Sequence, residues 1–138
     1  MPGWGTGSFE NEDAQSFLGE LKSLRIEDLQ PSLARAADQE DYIEARESSV
    51  AIAAAEVIAA LIAAEENRES SPEPRQISDW VGQNKGAGAA DLPEFRDLAR
   101  RAVERVRANS ELKDLWLEAE GLNEWSATLR DLERRLGE

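Results

Sequence analysis

The sequence predicts an all-α fold: a single compact helical bundle of about six helices around one apolar central helix, with an ordered glycine-rich N-terminal arm. Three observations carry that expectation. Val50 to Ala64, VAIAAAEVIAALIAA, is apolar at fourteen of fifteen positions, with one carboxylate, Glu56, near its middle. Stripes of apolar residues at helical spacing recur on both sides of it, and no stretch shows the alternation of a half-buried strand. Finally, 138 residues make one ordinary domain, and a fold of that length buries roughly 70% of its unfolded-chain surface without a metal or disulfide staple. Residues 1–138 are accordingly one domain, with an arm at 1–10 and surface loops at 67–75 and 82–90.

Glycines at positions 3, 5 and 7 keep Met1–Phe9 out of a helix. Trp4 and Phe9 are costly to leave in water, so the arm is expected to dock both rings on the core. Asn11 or Asp13 caps a first helix that buries Ala14, Phe17, Leu18, Leu21 and Leu24. Ile26, Leu29, Leu33, Ala36 and Ala37 continue the pattern, with Pro31 confined to a first turn. Asp38–Glu44 break the periodicity and predict a loop with Tyr42 and Ile43 turned inward. Ser48 or Ser49 then opens the apolar helix, which runs to about Glu66.

Asn67–Arg75 has two prolines and no apolar side chain, the composition of a surface connector. Ile77, Trp80 and Val81 predict a short helix begun by Ser78 or a neighbour, and Gly82–Ala90 a flexible loop. Asp91 and Glu94 have capping-box spacing, with Pro93 suited to the first turn of the next helix. That helix buries Leu92, Phe95, Leu98, Ala99, Ala102, Val103 and Val106. Ser110 caps another, carrying Leu112, Leu115, Trp116 and Ala119 and ended by Gly121. Asn123 starts the last, with Trp125, Leu129, Leu132 and Leu136 inward.

The residue inventory limits the chemistry. With no Cys and no His, disulfide frameworks, Cys/His zinc sites and Ser-His-Asp or Cys-His catalysis are excluded. An enzyme would have to run on carboxylates, lysines, Tyr42 or hydroxyls, which argues against one. No cofactor is implied. The loop at Gly82–Ala90 lacks a phosphate-binding signature, because Lys85 precedes Gly86 and no Ser or Thr follows. The acids Glu10, Glu12, Asp13, Asp38, Glu40 and Asp41 do not have the spacing of a calcium loop and imply no metal. Leu115, Leu122, Leu129 and Leu136 recur every seven residues, yet Gly121 interrupts them, so they read as a core stripe and not a zipper.

Charge bears on partners. Residues 1–80 carry −11 of the net −13. Such a surface repels nucleic acid and anionic lipid and favours a basic protein partner, unless its acidity serves only solubility. Arg96, Arg100, Arg101, Arg105 and Arg107 crowd one helix, but they have local acidic partners and no interleaved aromatics, so they are expected to face the acidic first half. The apolar run is shorter than the ~20 residues of a bilayer span and no signal peptide precedes it, which places the protein in the cytoplasm. The sequence does not fix an oligomeric state.

Glu56 needs a partner, because an unpaired buried carboxylate costs several kcal/mol. The backbone N–H groups and the Thr6 hydroxyl of the arm are the expected donors. An arginine from residues 96–107 is the rival.

GWGTGSFENEDA, then SSVAIAAAEVIAALIA and LARRAVERVRANSELKDLW, resemble an uncharacterised bacterial family, domain of unknown function 4259. Trp4, Gly5, Gly7, Phe9, Asn11, Ala14 and Glu56 fit its pattern, while Glu12 intervenes before the usual acid. The resemblance implies a small cytosolic helical protein and carries no activity or cofactor. It also groups Trp4, Thr6, Phe9, Glu10, Asn11, Asp13 and Glu56 into one structural or ligand-binding constellation.

The function expected first is a non-catalytic acidic protein-binding module, antitoxin-like or immunity-like, that engages a basic partner through residues 27–47. The alternative is a small-molecule or metal site at the arm and Glu56, where any catalysis would use carboxylate acid/base chemistry. Acidic mimicry of DNA is a third reading, one that requires carboxylates in two rows at phosphate-like spacing.

Overall fold

Asn11 opens the helical part of the chain. Its extended backbone and its side chain, which accepts the Ala14 N–H at 2.8 Å, cap α1 (Glu12–Glu20). A 3₁₀ turn at Leu21–Ser23 follows. A second, at Ile26–Leu29, runs straight into α2 (Gln30–Asp38), whose first turn holds Pro31 as the sequence requires. The order continues with α3 (Ala45–Glu65), α4 (Arg75–Asn84), α5 (Leu92–Ala108), α6 (Glu111–Glu118) and α7 (Leu122–Gly137). The computed structural model describes residues 3–68, 74–86 and 91–137. Among these it is all-α, with seven helices against about six predicted and no strand. Residues 69–73 and 87–90 of the two predicted loops lie outside the described residues.

α3 is the axis. It touches each of the other six helices, and fourteen of its residues are buried. A helix surrounded on every side has no polar stripe to present, which is why the run lacks amphipathic periodicity. Its many alanines let neighbours approach closely, with Ile52, Val57, Ile58, Leu61 and Ile62 filling the gaps between them. At 21 residues α3 is long and apolar enough to cross a bilayer, yet 78% of its most apolar window is buried against other helices. α5 lies along α2 and α7, and together these elements close one continuous core with Leu33, Val103, Val106, Leu129, Leu132 and Leu136 in it.

Several local expectations need correction. α3 begins at Ala45, before Ser48 and Ser49, which are buried in its opening turns. The start is fixed from a distance: Ala45 N–H donates to Glu111 Oε1 at 2.8 Å, and Glu111 N–H donates to the Ile43 carbonyl at 2.9 Å. The first bond satisfies an N–H at the start of α3 that has no partner within the helix, and the second ties Ile43, just before the helix, to α6. Ile43 is buried as predicted, but Tyr42 turns outward and its hydroxyl donates to Asp114.

α4 begins after Pro74 and runs through Gly82, so Ser78 is interior to it and the loop starts only at Lys85. Trp80 anchors α4 by donating its indole N–H to the Leu24 carbonyl at 2.9 Å. Asp91 sits at the N-cap of α5 without a side-chain bond. Its carbonyl receives the Glu94 and Phe95 N–H groups instead, so no capping box forms. Ser110 caps α6 as expected, accepting the Lys113 N–H at 3.1 Å.

Candidate functional site

The glycine-rich arm folds around its own acid. Trp4 N–H donates to the Glu10 carbonyl at 3.0 Å, Glu10 N–H to the Gly7 carbonyl at 3.1 Å, and Gly7 N–H to Glu10 Oε1 at 3.0 Å. A Cβ at Gly5 would collide with the Glu10 carboxylate, and one at Gly7 would lie 2.5 Å from Oε1. The glycines therefore let the main chain pass close to an anion, which accepts one N–H, that of Gly7. That anion is Glu10, not Glu56.

Glu56 is served differently. Ser8 Oγ donates to its Oε2 at 2.6 Å, and Arg135 of α7 reaches both oxygens, Nη1 to Oε1 at 2.8 Å and Nη2 to Oε2 at 3.3 Å. The arm does contribute, through Ser8 in place of Thr6, whose hydroxyl makes no bond to it. The arginine comes from α7 and not from residues 96–107. Arg135 is fixed in turn by Asp131 one turn earlier, Nε to Oδ2 at 2.9 Å. Burial opposes the charge on Arg135, and the bonds and charges of Glu56 and Asp131 outweigh it, holding the guanidinium above its usual range. At Asp131 burial alone would push the carboxyl up, and Arg134 and Arg135 more than offset it.

The remaining members of the predicted constellation are scattered. Asn11 is the α1 cap, and Asp13 stands in the first turn of α1. Phe9 packs half-buried against the core, while Trp4 is 60% exposed, so only one of the two arm aromatics docks. Ser8 and Arg135 belong to the site and were not in the predicted set. The Asp131–Arg135 spacing of four was a visible signal for an ordered arginine on α7. Beside the arm, Thr6, Ser8, Trp116 and Trp125 enclose a cavity of about 10 Å³ that Glu56 does not line. That is room for about one water.

The arginines of α5 do turn to the acidic half. Arg96 meets Glu66 at 3.2 Å, Arg101 meets Asp38 at 2.8 Å, and Arg105 donates to the carbonyls of Gln39 and Asp41. Arg100 and Arg107 are the exceptions, the first paired with Glu104 of its own helix at 3.0 Å and the second with Glu133 of α7 at 2.5 Å.

A larger feature lies between α1, α2 and the opening of α3. There a groove of about 600 Å³ is lined by five carboxylates, Asp13, Glu20, Asp28, Glu44 and Glu47, against two arginines, Arg35 and Arg46. Phe17, Leu24 and Val50 supply apolar wall. Glu47 Oε2 is buried and accepts no hydrogen bond, and its nearest cation, Arg35 Nε, stands off at 4.0 Å. No group of three or more acidic side chains suited to a metal ion occurs among the described residues.

Comparison with curated proteins and with solved structures finds no match. A family model does match, over residues 3–128, and it spans the arm and α1 through α6 together with the first seven residues of α7. The chain thus belongs to the family described as Domain of unknown function (DUF4259).

Proposed function

We propose that this domain is a non-catalytic protein-binding module that takes a basic segment of a partner protein into the acidic groove between α1, α2 and α3. The observation that supports this most is the groove itself. Its carboxylates outnumber its cations by five to two, and one carboxylate oxygen, Glu47 Oε2, is buried without a donor. The nearest cation to that oxygen, Arg35, stands 4.0 Å away, so the groove keeps a surplus of negative charge for an incoming Lys or Arg. The apolar wall of Phe17, Leu24 and Val50 suits the methylene stem of such a side chain. The small-molecule reading at Glu56 has less support, since Ser8 and Arg135 engage both carboxylate oxygens and the small cavity beside the arm is lined by neither Glu56 nor Arg135.

A lysine- and arginine-rich peptide titrated into the intact protein tests the proposal. Binding is expected to weaken at least about tenfold in a Glu20→Lys/Glu44→Lys double variant, a loss of roughly 1.4 kcal/mol or more, and to weaken as salt is raised. Glu118→Lys, an exposed charge reversal on α6 outside the groove, is the control. Equal losses in the two variants, or no binding of the peptide at low salt, would overturn the assignment.

A further inference from the structure

In a chain of net charge −13, one concave surface carries only positive charge. Where α5 ends and α7 begins, Arg107, Lys113 and Arg130 line a groove of about 470 Å³ together with Asn123 and Ser126, and no carboxylate lines it. Its volume lies in the range of small-molecule sites, roughly 300–1,000 Å³.

The donors there exceed what the protein uses. Arg107 gives Nε and Nη2 to Glu133, at 2.5 and 3.0 Å, which leaves Nη1 uncommitted. Lys113 Nζ donates to the Ala108 carbonyl at 3.0 Å, and an ammonium has two further protons. Arg130 makes no ion pair or hydrogen bond among the described residues, and neither do the side chains of Asn123 and Ser126. Glu133 fixes the Arg107 guanidinium in one orientation while leaving its outer edge open. Asn123 lies in the first turn of α7, a 16-residue helix, where main-chain N–H groups and the helix dipole add to the positive potential.

A surplus of donors without an acceptor is the chemistry of an anion site. Glu133 neutralises part of the Arg107 charge and Glu124 stands in the first turn of α7, so Lys113 and Arg130 carry the surplus, while acids more than about 8 Å away are largely screened at physiological ionic strength.

We infer that this groove is a binding site for a small, multiply charged oxyanion, a phosphate- or carboxylate-bearing molecule held by Arg107, Lys113 and Arg130. The site is independent of the acidic groove, and each can fail without the other.

Calorimetric titration of the intact protein with pyrophosphate, and separately with citrate, tests it. Binding is expected at low salt, to decline as salt is raised, and to weaken about tenfold or more in Arg130→Ala. That substitution removes an exposed side chain with no partner, so the fold should survive, and an unchanged melting temperature without ligand verifies it. Arg25→Ala, which removes an exposed side chain paired among the described residues with neighbouring Glu27 and leaves the backbone bond to Asp28 in place, serves as the control. Binding of pyrophosphate alone identifies phosphate as the ligand chemistry, and binding of citrate alone identifies carboxylate. Binding of both shows that charge suffices. Failure of both anions to bind at millimolar concentration overturns the site, as does an equal loss in Arg25→Ala.

Discussion

Tyr42 is the chain's one tyrosine, and its hydroxyl donates to Asp114 of α6. That hydrogen bond holds the phenolic proton. Burial and the charges of Asp114, Glu111 and Glu118 act in the same direction, and the group is pushed up to about 12. A raised pKa on a neutral acid means that its contribution to stability is fully present below the unfolded value near 10. It is lost as pH rises through the folded value. Ultraviolet titration of the phenol in the folded protein is expected to show a midpoint well above 10, returning toward 10 in Asp114→Asn. A wild-type midpoint at 10 would show that the bond does not hold in solution. Residue-scale contacts of this kind were the least legible in the sequence. The position of Tyr42 beside buried Ile43 gives no hint of Asp114, 72 residues away. Glu56 advertised its need for a partner through its apolar surroundings, and the arm was the right segment. Which hydroxyl reaches it depends on how the arm coils around Glu10, and that no periodicity records.

At the scale of elements, spacing did most of the work. The stripes of α1, α2, α5 and α7 face the core where the pattern put them. Ends were harder, because tertiary contacts decide them. The close of α6 illustrates this. Glu120 N–H donates to the Leu117 carbonyl at 3.2 Å and Gly121 N–H to the Trp116 carbonyl at 3.0 Å. These bonds form a Schellman motif, whose left-handed position ordinarily falls to glycine. Here Glu120 takes it, with φ of 61°, and Gly121 stands one place later. A Cβ on Gly121 would lie 2.7 Å from the Trp116 ring, so the glycine provides close approach and the glutamate bears the strain. Glu120→Gly is therefore expected to stabilise the protein by about 1 kcal/mol, and Gly121→Ala to destabilise it by roughly 1–3 kcal/mol. Urea unfolding midpoints at unchanged m-value would measure both. A Glu120→Gly variant less stable than the parent would contradict this account.

Over the whole molecule, the contact between Glu56, Arg135 and Ser8 joins three segments distant in sequence: the arm, α3 and α7. The Glu56 and Arg135 side chains are only 13% and 21% exposed, and removing either leaves the other with one remaining partner, Ser8 for Glu56 and Asp131 for Arg135. Glu56→Leu or Arg135→Leu alone is expected to cost about 2–4 kcal/mol, and the double variant clearly less than the sum. Denaturant melts of the four proteins measure the coupling, and strictly additive losses would mean that the pair is not linked. The fold class was readable because composition and periodicity agree on it. Which arginine meets Glu56 was not, because that depends on how α7 is rotated against α3. The same contact bears on the order of events during synthesis. Glu56 and Arg135 are 79 residues apart, so at about 5–20 residues per second the ribosome needs roughly 4–16 s to deliver the second after the first. For that interval Glu56 has only Ser8 of the arm as its donor, and the most apolar helix of the molecule waits without α7 to cover it. The nascent chain, more than the finished protein, is what a chaperone would recognise.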